Sequence, residues 1–144
     1  MILLDTSGLL AAIDSSQRSH AECADVVATA SAPLLLSPFV LAELDYLLSR
    51  HVGAAAQSAL LDEVARGAYR LEPFGPADVA AAKTVVDRYA DLRIGLADAS
   101  IVVLAERYRA SDVLTLDERH FRAFRILGRR RFRVLPADRR ASGA

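Results

Sequence analysis

The sequence predicts an α/β domain with a central, mostly parallel sheet of about five strands between layers of helices. Short apolar runs alternate along the chain with longer segments whose apolar residues recur at helical spacing. That alternation is typical of parallel strands joined by crossover helices. Two of the apolar runs, MILLD at the start and DVLTLD at residues 112–117, both end in an aspartate. At 144 residues the chain fits one domain, which we predict to span residues 1–136.

The first half of the chain contains clear boundaries for its elements. MILLD is a short buried strand, and SGLLAAID is the first helix. A helix over residues 18–30 is followed, after Pro33, by the apolar strand LLL. Ser37 supplies a capping hydroxyl and Pro38 the first helical position of the next helix, which ends before Gly53.

The second half repeats the alternation. Residues 54–66 form an amphipathic helix, AYRLEPF is a third strand, and Pro76 begins a further helix. Gly95 precedes the helix LADASIVVLAERY, which is apolar on nearly every side and is therefore predicted to be buried. DVLTLD is the fourth strand, a helical turn begins at Asp117, and RFRVLP is the last strand. Residues 137–144 are predicted to be a disordered C-terminal tail.

The composition indicates a globular protein of a reducing compartment. A hydrophobic fraction of 53% is enough for a sizeable core and excludes a disordered chain. The single cysteine, Cys23, cannot form an internal disulfide, and no Cys/His cluster has zinc spacing. No apolar stretch approaches the roughly 20 residues of a membrane helix, and the N-terminus lacks the basic lead of a signal peptide. We therefore expect a cytoplasmic protein without membrane contact.

Two aspartates are expected at the same edge of the sheet. Ligands of open α/β sheets bind beyond the carboxyl ends of the strands, and Asp5 and Asp117 both follow a predicted strand there. Taken singly, each is better explained as a turn residue or a helix cap. Their matching positions on two strands favour a shared site.

Two further acids lie on helices beside apolar side chains. Glu43 borders the apolar face of its helix, where a carboxylate is desolvated unless it is paired or bound to a cation. Asp98 lies in the first turn of the most apolar helix. The positive end of that helix, or an ion pair with Arg93, offers a simpler explanation for Asp98 alone.

Four gathered carboxylates would repel one another without a counter-charge. They supply the oxygen ligands that Mg²⁺ and Mn²⁺ prefer, and such ions activate water for attack on a phosphodiester. That chemistry needs no histidine and no protein nucleophile. The three histidines show no metal-ligand spacing and are expected at helix ends or on the surface, although His120 follows Asp117 by three residues.

Four motifs, taken in order, resemble those of the PIN-domain nucleases. MILLDTSGLLAAID is similar to the opening of these domains, where an apolar strand ends in Asp-Thr/Ser-Ser/Asn. SPFVLAELDYLLSR, RIGLADASIVVLAER and VLTLDERHF resemble their second, third and fourth acidic motifs, which here carry Glu43, Asp98 and Asp117. The resemblance extends over residues 2–136 and implies a PIN-like three-layer α/β/α fold. In its small size the chain is most similar to the bacterial VapC toxins.

The resemblance implies a cytosolic endoribonuclease that hydrolyses structured RNA, either tRNA or a ribosomal RNA loop, with Mg²⁺ as cofactor and Mn²⁺ as a substitute. It also implies a homodimer that a cognate VapB-type antitoxin holds inactive by covering the active site, with operator DNA bound only through the antitoxin. The implied metal ligands are Asp5, Glu43, Asp98 and Asp117, and the implied supporting hydroxyls near the metal are those of Thr6 and Thr115.

Charge is unevenly distributed along the chain. Residues 107–144 contain eleven arginines and four acids, whereas residues 1–106 contain seven basic and fourteen acidic residues. A basic end beside an acidic body is consistent with a phosphate-rich partner, and equally with an ordinary solvated surface. The candidate contacts for RNA or for the antitoxin are Arg93, Arg129, Arg130 and Arg131.

Other readings of the acidic pattern divide into two groups. A haloacid-dehalogenase-like phosphatase needs a second aspartate where this chain has Ser7, and a response-regulator receiver needs a late-strand lysine, whereas Lys83 lies in a predicted helix. A metal-dependent DNA nuclease uses the same phosphodiester chemistry and stays open. A non-catalytic RNA- or partner-binding domain, with purely structural acids, is the remaining alternative.

Overall fold

A five-stranded parallel sheet forms the centre of the molecule, as predicted. The computed structural model describes residues 1–142, with the side chains of residues 1–139. In chain order the strands are β1 (Ile2–Leu4), β2 (Leu34–Leu36), β3 (Arg70–Leu71), β4 (Asp112–Leu114), β5 (Arg125–Ile126), β6 (Arg130–Arg131) and β7 (Arg133–Leu135). The sheet has the order β3-β2-β1-β4-β7, and β5 and β6 form a separate antiparallel hairpin.

Helices flank this sheet, and the third of them begins where its local signals predict. The Ser37 hydroxyl accepts a hydrogen bond from the Phe39 amide at the start of the third helix, and Pro38 is its first residue. In chain order the helices are α1 (Thr6–Ile13), α2 (His20–Thr29), α3 (Pro38–His51), α4 (Ala54–Ala65), α5 (Pro76–Arg88), α6 (Leu96–Tyr108), α7 (Glu118–Ala123) and α8 (Ala137–Ser142). Within the described residues, no helix combines the length and apolarity needed to cross a bilayer.

The core lies where the central strands meet α6. The last two residues of β1 and of β4 are inaccessible to solvent or nearly so: Leu3, Leu4, Val113 and Leu114. Helix α6 buries eight of its residues, from Ala97 to Ala105, which confirms the prediction from its apolar sequence. Because α6 is buried, its orientation is fixed. Its first turn therefore presents polar side chains at the carboxyl edge of the sheet.

The C-terminal region differs from the prediction. A disordered tail was expected over residues 137–144, but residues 137–142 form α8, and residues 143–144 lie outside the described part of the chain. The Asp138 carboxylate accepts a hydrogen bond from the Val134 amide at 2.8 Å and forms an ion pair with Arg122, also at 2.8 Å. These tertiary contacts, which local sequence does not reveal, hold the short helix against the end of β7.

One glycine allows α1 to approach β4. A Cβ atom on Gly8 would collide with the carbonyl oxygen of Leu114 and lie 2.6 Å from its carbonyl carbon. The same carbonyl oxygen accepts a hydrogen bond from the Asp5 amide at 3.0 Å. The absence of a side chain at Gly8 therefore lets the start of α1 lie directly against the end of β4.

We expect Gly8→Ala to destabilise the protein by about 1–3 kcal/mol, because the added methyl group forces α1 away from β4. At an unhindered helix position the same change stabilises by roughly 0.5–1 kcal/mol, so the sign of the effect tests the close approach. Urea unfolding followed by circular dichroism measures it. A variant as stable as the wild type would show that α1 does not pack against the Leu114 backbone as described.

Candidate active site

The four predicted acids come together at the carboxyl edge of the sheet. Asp5 follows β1 directly, and Asp117 lies three residues beyond the end of β4, at the N-cap of α7. Asp98 is in the first turn of α6, and electrostatic repulsion from Asp5, Asp117 and Glu43 acts on its carboxylate. Two strand ends and two helices therefore converge on one small region.

Asp5 is a buried carboxylate held by hydroxyl groups. Only 5% of the residue is exposed. The Thr115 hydroxyl donates to Asp5 Oδ2 at 2.6 Å, and the Ser7 hydroxyl donates to the same oxygen at 3.1 Å. Burial raises the pKa of Asp5 above its ordinary value, although these hydrogen bonds oppose the rise. The hydroxyls therefore favour the charged form that could bind a cation.

The same two hydroxyls position the loop that carries Asp117. The Asp117 amide donates to Thr115 Oγ1 at 2.9 Å, and the Leu116 amide donates to Ser7 Oγ at 2.9 Å. Each hydroxyl thus donates to Asp5 and accepts from the backbone after β4. This arrangement couples the position of Asp117 to that of Asp5.

Helix α3 is fixed to the site at two points. The Thr6 hydroxyl donates to Glu43 Oε1 at 2.8 Å, which orients the Glu43 carboxylate towards the start of α1. At the start of α3, the buried hydroxyls of Ser37 and Ser100 lie 2.6 Å apart. Because Ser100 donates to the Ala97 carbonyl, Ser37 is the donor to Ser100, and this bond links the start of α3 to the first turns of α6.

Asp98 is the most perturbed acid with a partly open side chain. Its side chain is 21% exposed. Burial raises the pKa of Asp98 to about 7, and repulsion from Asp5 and Asp117 adds to the effect while His120 opposes it. A perturbed acid in an acidic cluster of this kind is typical of functional sites.

His120 lies in the first turn of α7, as expected of a histidine at a helix end, but it also belongs to this cluster, whereas the sequence indicated no metal-ligand pattern for the histidines. Its Nδ1 lies 2.8 Å from Asp117 Oδ2 and 3.6 Å from Asp98 Oδ2. The spacing of three residues between Asp117 and His120 was the available signal, since residues three apart share one face of a helix. Ser7 was also missed as a site residue, although it stands within the Asp-Thr-Ser sequence that follows β1.

Among the candidate arginines, those of the β5–β6 hairpin lie away from the acids. Arg93 is exposed and makes no ion pair within the described residues. The side chain that does approach Asp98 is His120, whose Nδ1 lies 3.6 Å from Asp98 Oδ2. The Arg130 guanidinium donates to the Arg109 carbonyl and to Ser111, just before β4 and thus at the amino edge of the sheet. The arginine-rich hairpin lies at the opposite edge from the acidic cluster.

The donor set fits a divalent cation. Asp98, Asp117 and His120 each offer a ligand atom, and these atoms lie within 4.8 Å of one another. The buried Nδ1 of His120 makes no hydrogen bond despite its proximity to Asp117, because the two groups are not aligned for one. Carboxylates that repel one another beside an unpartnered nitrogen are the arrangement that a bound cation would satisfy.

Comparison with known proteins identifies the family. A family model of the PIN domain matches residues 2–127. The chain belongs to the PIN-domain family. Among VapC members, it is 46% identical to Ribonuclease VapC26 of Mycobacterium tuberculosis (strain ATCC 25618 / H37Rv) over 135 residues, or 94% of this chain and 100% of that protein.

Two solved structures share the PIN fold. Mycobacterium tuberculosis VapC20, a toxin that cleaves the sarcin-ricin loop, superposes with a TM-score of 0.77 at 20% identity, covering 83% of this chain and 92% of its own. VapBC2 of Rickettsia felis, bound to a DNA fragment from its promoter, gives a TM-score of 0.65 at 21% identity, covering 93% and 98%. The fold class predicted from the sequence is confirmed.

We expect Asp98→Asn to stabilise the metal-free protein near neutral pH. The pKa of Asp98 is raised from 3.8 to about 7, so the folded state binds more protons than the unfolded state in this interval. Wild-type stability should therefore fall as the pH rises from about 4 to about 7, by on the order of 2–4 kcal/mol from this group. Urea unfolding in EDTA at several pH values measures the effect.

The matched control is Asp91→Asn, which removes an exposed acid outside the cluster. This variant should follow the wild-type pH profile within about 0.5 kcal/mol. Parallel profiles for wild type and Asp98→Asn would mean that Asp98 is not destabilised by its surroundings.

Proposed function

We propose that this protein is a toxin-type endoribonuclease that hydrolyses phosphodiester bonds in structured RNA, either tRNA or rRNA, with Mg²⁺ or Mn²⁺. The observation that carries the proposal is the convergence of four carboxylates, from two strand ends and two helices, in a PIN domain. The ribonuclease name of a relative with 46% identity over nearly the whole chain supports RNA as the substrate.

The proposed cation is held by the acids of the cluster. Asp98 and Asp117 offer oxygen ligands close together, and Asp5 and Glu43 add negative charge beside them. When bound, such a cation makes water a stronger nucleophile at neutral pH and neutralises charge that develops on the scissile phosphate. This class of reaction needs no nucleophilic side chain from the protein.

The hydroxyl groups of the chain hold the acids ready for that task. Thr115 and Ser7 favour ionised Asp5 and fix its oxygen, while Thr6 orients Glu43. Groups held in place before the substrate arrives need no reorganisation during the reaction, which is the principal source of electrostatic catalysis. We therefore assign supporting roles to Thr6 and Thr115, and add Ser7 to them.

An apolar groove beside the acids suits a protein partner. It has a volume of about 660 Å³ and is lined by Phe39, Ala42, Glu43, Tyr46, Leu47, Leu96 and Ala97. Glu43 connects this groove to the acidic cluster, so a peptide in it would also cover the site. We propose a VapB-type antitoxin as the occupant, supported by the VapBC2 complex among the structural neighbours, with operator DNA bound only through it. By the same family resemblance, we propose a homodimer that acts in the cytoplasm.

The direct test is cleavage of total bacterial RNA by purified protein free of antitoxin, in Mn²⁺, Mg²⁺ or EDTA, with new 5′ ends mapped by sequencing. We expect a discrete cut that EDTA abolishes. Asp98→Asn should lower the rate at least about a hundredfold, because it removes a ligand of the cation proposed to stabilise transition-state charge. Asp91→Asn is the matched control and should cut normally.

Each alternative function gives a different result in this assay. Metal-dependent cleavage of added DNA, with RNA left intact, would favour the DNA nuclease. Absence of cleavage in both metals, by folded protein that still binds RNA, would favour the non-catalytic binding domain and contradict the proposal.

A second prediction concerns the exposed arginines beside the acidic edge. Arg119, exposed in the first turn of α7, and Arg93, exposed just before α6, flank the acidic edge. Replacing both with alanine should weaken RNA binding and reduce the slope of log affinity against log salt by about one to two, since each phosphate contact contributes about 0.7–0.9. Filter binding with catalytically inactive protein at several salt concentrations measures the slope.

The arginine-rich hairpin provides the comparison. Arg129 and Arg131 lie on the other edge of the sheet, so replacing both should leave the slope for a short RNA unchanged. If replacing Arg129 and Arg131 reduced the slope and replacing Arg93 and Arg119 did not, RNA would bind across the edge that carries the hairpin.

A further inference from the structure

The Nδ1 atom of the His120 imidazole faces two carboxylates without an aligned hydrogen bond to either of them. Nδ1 is buried and makes no hydrogen bond, although Asp117 Oδ2 lies 2.8 Å away and Asp98 Oδ2 lies 3.6 Å away. A buried polar atom without a partner is unfavourable, so its retention calls for a reason. The nitrogen faces the carboxylates of Asp117 and Asp98.

The ring is held in this orientation by packing. It stacks on Phe124 with ring centroids 6.2 Å apart and an angle of 26° between the planes. The His120 amide donates to Asp117 Oδ1 at 3.1 Å, so the backbone of α7 is attached to the same carboxylate. Only 22% of the side chain is exposed, which leaves little freedom to turn the nitrogen towards solvent.

We propose that His120 is a ligand of the divalent cation through Nδ1, together with Asp98 and Asp117. This nitrogen ligand makes the site favour Mn²⁺ over Mg²⁺. The inference rests on the metal dependence in the proposed function. It uses ligand atoms that lie within 4.8 Å of one another. A nitrogen ligand suits a transition-metal ion, whereas Mg²⁺ is a hard cation that takes oxygen ligands and water.

A different role for the ring would leave another signature. As a counter-charge, a protonated His120 would stabilise the neighbouring carboxylates without touching the cation. A ligand must instead be neutral at Nδ1 and be in direct contact with the ion, with its proton on Nε2. A spectroscopic measurement of nitrogen at the ion separates these two roles.

The experiment is electron spin-echo envelope modulation of the full chain with Mn²⁺ alone as the probe. We expect nitrogen modulation at the bound ion, and a change in its frequency when the histidines carry ¹⁵N. That comparison needs no mutation and so does not depend on the folding of a variant. His120→Asn should abolish the modulation, whereas His51→Asn, which alters an exposed histidine at the end of α3, should preserve it.

Calorimetric titration gives an independent readout. In His120→Asn an amide oxygen replaces the nitrogen, so the Kd for Mn²⁺ should rise at least about tenfold, while the Kd for Mg²⁺ should change by less than about threefold. Circular dichroism melting checks that the variant is folded.

The outcomes distinguish this inference from the proposed function. Tight Mn²⁺ binding without nitrogen modulation in the wild type, or modulation that survives in folded His120→Asn, would overturn the ligand role and leave the nuclease proposal intact. Failure of the wild type to bind either ion would overturn both.

Discussion

Two hydroxyl groups hold the buried carboxylate of Asp5, and the geometry of the whole acidic edge depends on them. Thr115 and Ser7 both donate to Asp5 and both accept from the backbone that leads to Asp117. Parallel strands bring Asp5 and Thr115 to the same edge, and Gly8 lets α1 lie close enough for these bonds to form. The site is therefore a product of the two central strands and the first turn of α1.

Concentrating acids in this way opposes stability. Asp5 is desolvated, and Asp98 suffers both burial and repulsion from its neighbours, so the pKa of each is raised. A folded chain tolerates such a cluster when packing elsewhere supplies the free energy, and here α6 and the central strands supply a continuous apolar core. The acids are thus better explained by what they bind than by any contribution to the stability of the fold.

The sequence was sufficient for the fold class, which follows from local patterns. It indicated the four acids through local patterns together with the resemblance of four motifs to those of PIN domains. An apolar run that ends in aspartate fixes a position at the edge of the sheet, and a glutamate beside an apolar stripe fixes one at a helix interface. The role of His120 depends on the path of the chain after β4, which no local pattern specifies. Helix α8 and the hairpin of β5 and β6 were missed for the same reason, since tertiary contacts such as that of Asp138 with Arg122 determine them.

The arginine-rich segment shows why charge along a sequence does not translate directly into a binding surface. Several of its guanidinium groups are neutralised within the fold: Arg122 pairs with Glu118 and Asp138, Arg133 with Asp112, and Arg139 with Asp25. Arg130 is directed at backbone on the edge away from the acids. What remains near the site is a small number of exposed arginines around a strongly negative cluster. In the proposed function, an RNA phosphate approaching that cluster needs its charge offset locally, which a cation bound among the acids would do at the point of cleavage.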